Sequence, residues 1–274
     1  MQDIFIGGNG QPDPEEEERL LDQPAARNTD RGMQWIYEAG LLFGEHWQAW
    51  MIIAAVLYVV ELVFQGIIAN MGFMVASVYG MFMLFKAGGI VMAASVQEYE
   101  ETPPRLGHFF MIFDGKAFEF VFLFVLLLLA ALFWGIMLFG MASAIGFSGG
   151  LADMVGTVSS LFLTLFWLVS LQILLGFAPV LVFLQSESPF AAIVLSVKAA
   201  VKNILPLLLN SFLFMLLYMP VLWLANIAHG TLFAYITTAL VLMLNMISYL
   251  STYAAYRDIW FESAERNTIT MGYR

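Results

Sequence analysis

Six long apolar stretches, joined by short segments in which Lys and Arg keep to one side, constrain this chain more than any motif does. They cover residues 50–68, 71–96, 118–145, 157–185, 204–228 and 231–256. Crossing ~30 Å of hydrocarbon takes about 20 helical residues, and every stretch is close to that length or longer. Backbone amides in lipid must bond within their own segment, so each stretch is expected to be a helix. Barrel strands are not expected, because those are shorter and alternate polar with apolar residues. Only 12% of the 274 residues are charged and 61% are hydrophobic, where a soluble domain carries roughly 25% charged residues. The expected fold class is all-α, a polytopic membrane bundle of six transmembrane helices.

The loop charges predict an orientation. Arg19, Arg27, Arg31, Arg105, Lys116, Lys198, Lys202, Arg257, Arg266 and Arg274 all fall on one side of the six stretches. The short loops on the other side hold no Lys or Arg, and Lys86 lies within the second stretch. Basic residues mark the cytoplasmic side, so both termini are expected in the cytoplasm. Residues 1–46 hold ten acidic and three basic residues, which accounts for −7 of the net −10. With Gly, Pro and four consecutive glutamates from Glu15 to Glu18, residues 1–32 read as a disordered acidic cytoplasmic tail. They contain no apolar core followed by a small-residue cleavage site, so the first stretch is expected to act as its own insertion signal. Residues 33–260 then form the membrane domain and residues 261–274 a short cytoplasmic tail. No Cys is present, so disulfides say nothing about the compartment.

Each pair of stretches is preceded by a short amphipathic segment. In the first, Trp35, Ala39, Leu42 and Phe43 share a helical face opposite Gln34, Glu38 and Glu45. In the second, Leu106, Phe109, Phe110 and Phe113 oppose Arg105, His108 and Lys116. In the third, Phe190, Ile193, Val194, Val197 and Val201 oppose Lys198 and Lys202, with Ser188 placed to cap the helix and Pro189 at its first position. The pattern predicts three repeats of an interfacial amphipathic helix plus a helical hairpin.

Three segments carry a family resemblance. Residues 176–182 read Gly-Phe-Ala-Pro-Val-Leu-Val, residues 196–206 read Ser-Val-Lys-Ala-Ala-Val-Lys-Asn-Ile-Leu-Pro, and residues 253–259 read Tyr-Ala-Ala-Tyr-Arg-Asp-Ile. In order and spacing they resemble an uncharacterised family of six-span bacterial inner-membrane proteins with a C-terminal Tyr-Arg-Asp motif. That family is distantly akin to the membrane domain of some glycerophosphodiester phosphodiesterases. The resemblance covers about residues 170–260 and the remainder only in hydropathy. Ile204 stands where the family often has Trp, and the acidic tail is not part of its pattern. The resemblance implies a Gram-negative inner membrane and no particular activity.

Few residues are candidates for function. Glu61 and Lys86 are the charged residues well inside the stretches, at similar depth on antiparallel neighbours. An unpaired charge at mid-bilayer costs at least ~2.5–3.5 kcal/mol, so they are expected either to pair or to serve a relay. With Asn210 and Asn245 they make a candidate intramembrane polar site; Gln172 and Asn226 are further polar residues in the spans. Lys198, Lys202 and Arg257 are a candidate cytoplasmic site for anionic headgroups. Gly72, Ala76 and Gly80 form a small-residue stripe for close helix packing, and Gly88 and Gly89 are expected to loosen the same helix. Pro179 and Pro220 are expected to interrupt the fourth and fifth stretches. The dispersed His46, His108 and His229 predict no metal site. No catalytic triad, phosphate loop or zinc-protease motif occurs, so no catalytic residue, cofactor or nucleic-acid partner is expected. The leading expectation is a non-enzymatic inner-membrane scaffold or accessory subunit. Its partners would be membrane lipid, another membrane protein, or a basic cytoplasmic protein held by residues 1–32. The alternative is a lipid or small-solute carrier using the mid-membrane polar site.

Overall fold

The computed structural model describes residues 19–71, 73–144, 158–227 and 230–262. Six helical segments in it are long and apolar enough to span a membrane: Trp47–Ile67, Val78–Glu100, Ala117–Met141, Leu163–Leu184, Ile204–Ile227 and Phe233–Trp260. The chain is therefore a multi-pass membrane protein. In chain order the helices are α1 (Arg31–Glu45), α2 (Trp47–Met71), α3 (Phe73–Glu100), α4 (Leu106–Phe110), α5 (Ala117–Ala144), α6 (Val158–Leu175), α7 (Ala178–Leu184), α8 (Pro189–Lys202), α9 (Ile204–Ile227) and α10 (Phe233–Trp260). A 3-10 turn, Met111–Phe113, extends α4. With six spans, the segments before α2 and after α10 lie at one end of the bundle, here the terminal end. The end of α2, the end of α5, the end of α9 and the starts of α3, α6 and α10 lie at the opposite, hairpin end.

The spans are not equivalent. The second and fourth are 44% and 39% buried, the third and fifth 11% each. The second and fourth are thus the centre, while α5 and α9 turn residues such as Phe133, Ile136 and Trp223 outward. Outward apolar side chains are expected where the solvent is lipid. Fully buried large side chains gather near the terminal end: Trp35, Trp50, Trp260, Tyr253, Phe109 and Ile112.

The short helices complete that end. In α1, Trp35, Ala39 and Phe43 are buried, as its periodicity predicts, but they rest on α9 and α10 rather than on lipid. Gly32 makes this docking possible, because a Cβ there would overlap the Pro206 carbonyl oxygen. The third amphipathic segment is turned the other way. In α8 the buried residues include Ala192, Ser196, Ala199 and Ala200, whereas Phe190, Val194 and Val201 are exposed. Small residues let backbones approach, and the large apolar ones lose nothing by facing acyl chains. Ser188 caps α8 by accepting from the Ala191 amide at 3.4 Å, with Pro189 opening the helix.

The two prolines behave differently. Pro179 opens α7 after a break in the fourth span. Ser196 mends that break, donating to the Leu174 carbonyl at 2.8 Å and accepting from the Phe177 amide at 3.3 Å. Pro220 instead lies within the continuous helix α9, a correction to the expected interruption. Gly88 and Gly89 lie within the continuous helix α3. A Cβ on either would overlap the ring of Phe183 or Phe109 respectively, so they admit two aromatic side chains against the helix. Gly80 takes Phe124 of α5 in the same way, at 3.0 Å from the position of a Cβ. Gly72 and the side chain of Ala76 lie outside the described residues.

Candidate functional site: a polar cavity within the bundle

Glu61 lies 14 residues along α2 from Trp47, and Lys86 lies 14 residues before Glu100 at the end of α3. At 1.5 Å per residue both are about 21 Å from the terminal ends of their helices. They meet: Lys86 Nζ donates to Glu61 Oε1 at 2.5 Å. The same ammonium stands 5.2 Å from the centroid of the Tyr249 ring, within reach of a cation–π attraction. The Lys86 side chain is 8% exposed and that of Glu61 14%.

The pair forms a wall of a cavity of about 240 Å³ between α2, α3, α9 and α10. Tyr58, Thr238 and Asn245 supply its other polar groups, and Ala54, Val241, Leu242 and Met246 its apolar ones. A water requires only about 10–15 Å³ measured this way, so a small solute fits. Thr238 is five residues from the start of α10 and Ala225 two from the end of α9. The cavity thus runs from Ala54, on the terminal side of the ion pair, past the pair towards the hairpin end. Asn245 donates from Nδ2 to the Val241 carbonyl at 3.1 Å on its own helix.

Asn210 does not join this site. Its amide donates to the Gly32 carbonyl at 3.0 Å and to Ser251 Oγ at 2.8 Å, tying α1 to α9 and α10. The reason is depth: Asn210 lies six residues from the start of α9 at the terminal end. The basic residues Lys198, Lys202 and Arg257 also have separate surroundings. Lys202 donates to the Pro24 carbonyl at 3.0 Å, Arg257 pairs with Glu98 and stacks near Tyr99, and Lys198 is exposed.

What sequence reasoning missed is a latch at the terminal end. Residues 19–32 are docked and correct the expectation of a solvated tail over 1–32; residues 1–18 lie outside the described residues. Strand Arg19–Leu20 pairs antiparallel with Phe261–Glu262, within the span assigned to the C-terminal tail. The Leu21 and Ala25 amides donate to the carbonyls of Trp260 and Ile259 at 2.8 and 2.9 Å. Asn203 accepts from the Arg27 amide at 2.7 Å and donates to the Ala25 carbonyl at 2.9 Å. At the centre, Asp258 accepts from Arg31 Nε at 2.7 Å and Trp35 Nε1 at 2.9 Å, with Arg27 Nε at 3.3 Å. Arg27 and Arg31 read as topology signals; only the fold assigns them this acceptor.

Two further groups stitch the same end. Gln97 accepts from Trp50 Nε1 at 2.9 Å and donates to the Leu42 carbonyl at 2.8 Å and Glu45 Oε2 at 2.9 Å. Lys116 donates to the Phe183 carbonyl at 3.0 Å, where α7 exposes the negative end of its dipole. Burial lowers the pKa of Lys116, against the pull of Glu119. Burial also lowers that of His108, against Glu100 and aided by Arg105. Among the described residues no cluster of His, Asp and Glu is placed to hold a metal ion. No family model, curated protein or solved structure matches the chain.

Proposed function

We propose that this protein is a carrier that binds a small polar solute in the cavity beside Glu61 and Lys86. One observation carries the reading: a buried ion pair lines a cavity large enough for a solute at the depth where a bilayer is least polar. Ionisable residues inside spans are expensive and mark substrate or ion pathways by default. A purely structural pair needs no room beside it. The stitched terminal end and the cavity reaching towards the hairpin end support access from the hairpin side. The ten-to-zero basic split supports a cytoplasmic terminal end, and the family resemblance supports a bacterial inner membrane. The three-fold order of short helix and hairpin supports a repeat with its axis along the membrane normal.

The natural absence of Cys makes the test direct. Thr238→Cys and Asn245→Cys would each carry a single thiol. Both should react with a small water-soluble thiol reagent applied from the hairpin side of sealed vesicles. Inert thiols at both positions, in folded protein, would sink the carrier reading. A second reading, a non-enzymatic scaffold, is favoured by the latch, which pins Arg19 and Leu20 beside the end of α10 on the terminal face. Loss of a co-purifying basic protein on deleting residues 1–18 would support it.

A further inference from the structure

A second cavity, of about 360 Å³, lies on the other side of α3. It is apolar. Gly80, Ala87 and Val91 of α3 line it with Phe124 and Leu128 of α5, facing the α6–α7 break at Gly176 and Pro179. From Gly80 to Val91 the groove follows α3 for 11 residues, about 16 Å of helix rise. Half of a ~30 Å hydrocarbon core is about the same length.

The two cavities share a wall. Lys86 lines the polar one and Ala87, the next residue, lines the apolar one. Tyr249 lines the apolar cavity while its ring faces the Lys86 ammonium. A charged compartment and an acyl-length compartment are thus separated by a lysine and a tyrosine side chain.

We propose that the two cavities form one site for a zwitterionic glycerophospholipid, such as phosphatidylethanolamine. This rests on the carrier reading and names its substrate class. The headgroup enters the polar cavity, its ammonium at Glu61 and its phosphodiester at Lys86, and an acyl chain lies in the groove along α3. Charge balance selects the headgroup. Opening the Glu61–Lys86 pair leaves one carboxylate and one ammonium in a medium that screens neither. A zwitterion pairs both. An anionic ligand satisfies Lys86 and strands Glu61, and a cationic one does the reverse. Tyr249 must swing aside for the glycerol backbone to pass between the compartments.

The test uses the full chain in mild detergent, loaded with phosphatidylethanolamine or phosphatidylglycerol, exchanged into lipid-free detergent and weighed intact by native mass spectrometry. The expected result is one phosphatidylethanolamine per chain, at least tenfold over phosphatidylglycerol. Ala87→Trp, which fills the groove, should lower retention at least tenfold. Leu128→Ala, which widens it without adding bulk, should move the preference to longer chains, and serves if Ala87→Trp does not fold. Equal retention of the two lipids overturns the headgroup assignment. Unchanged retention and chain preference in both variants overturns the groove assignment. Protection of Asn245→Cys from labelling separates this proposal from its parent. If ethanolamine phosphate protects and phosphatidylethanolamine does not, the lipid assignment falls and the solute carrier stands. If Asn245→Cys reacts and neither protects it, the lipid assignment falls and the solute carrier stands on its accessible thiol; if Thr238→Cys and Asn245→Cys are both inert in folded protein, both fall.

Discussion

Replacing Asp258 should unlatch the terminal end. Its carboxylate is 4% exposed and accepts from Arg31, Trp35 and Arg27. Hydrogen bonds to a charged group are worth roughly 1.5–3 kcal/mol each, yet the three do not add. Arg27 is 28% exposed and can turn to water, and it keeps the Asp258 backbone carbonyl, which any substitution retains. Arg31 retains Gln34 and Glu38. The nearer guide is the removal of one partner from a buried ion pair, about 3–5 kcal/mol. Asp258→Ala should therefore lose about 3–5 kcal/mol. Asp258→Asn keeps an oxygen acceptor for Trp35 and should lose roughly 2 kcal/mol, near the value of a single charged hydrogen bond. Unfolding in mixed micelles with increasing sodium dodecyl sulfate measures the change. Trypsin provides a second readout: Arg27 and Arg31 are held against α10 in the native chain and should become cleavable in Asp258→Ala. A loss below about 1 kcal/mol, the size of an exposed pair, with both arginines still resistant would refute the latch.

Four other outcomes follow from the same geometry. Glu61→Gln or Lys86→Met alone should cost about 3–5 kcal/mol by stranding the partner charge, while the double variant recovers most of the folded yield; a double variant no better than the worse single one would contradict a paired ground state. Ser196→Ala leaves the Leu174 carbonyl and Phe177 amide unpartnered at the α6–α7 break and should cost about 1–3 kcal/mol, measured in the same micelles. Gly89→Ala overlaps Phe109 and should cost about 1–3 kcal/mol by overpacking, and Phe109→Ala in the same chain should relieve part of it. A reporter active only outside the cytoplasm should work when fused at Gly150 or His229 and stay silent at Glu101, Glu187 or Arg274, with activity at Arg274 reversing the orientation.

The sequence by itself determined what depends on local geometry. Span length against bilayer thickness determined six helices. Helical rise determined that Glu61 and Lys86, on antiparallel neighbours, reach one depth. The Ser188 and Pro189 pair determined where α8 begins, because capping involves only the next turn. Tertiary structure decided what an apolar face rests on. In water an apolar stripe points inward; in lipid both sides of a helix are apolar, so hydropathy does not separate bundle interior from acyl chains. That is why α8 buries its alanines and exposes Phe190, Val194 and Val201. Asn245 lines the cavity while Asn210 anchors α1 because Asn210 stands near the terminal end of α9, where α1 docks. The latch was illegible for a different reason. Residues 19–30 have little apolar periodicity, and their order comes from Asn203, Asp258 and the end of α10, more than 170 residues away in sequence. Contacts of that span have no local signature, and only the folded bundle brings their partners together.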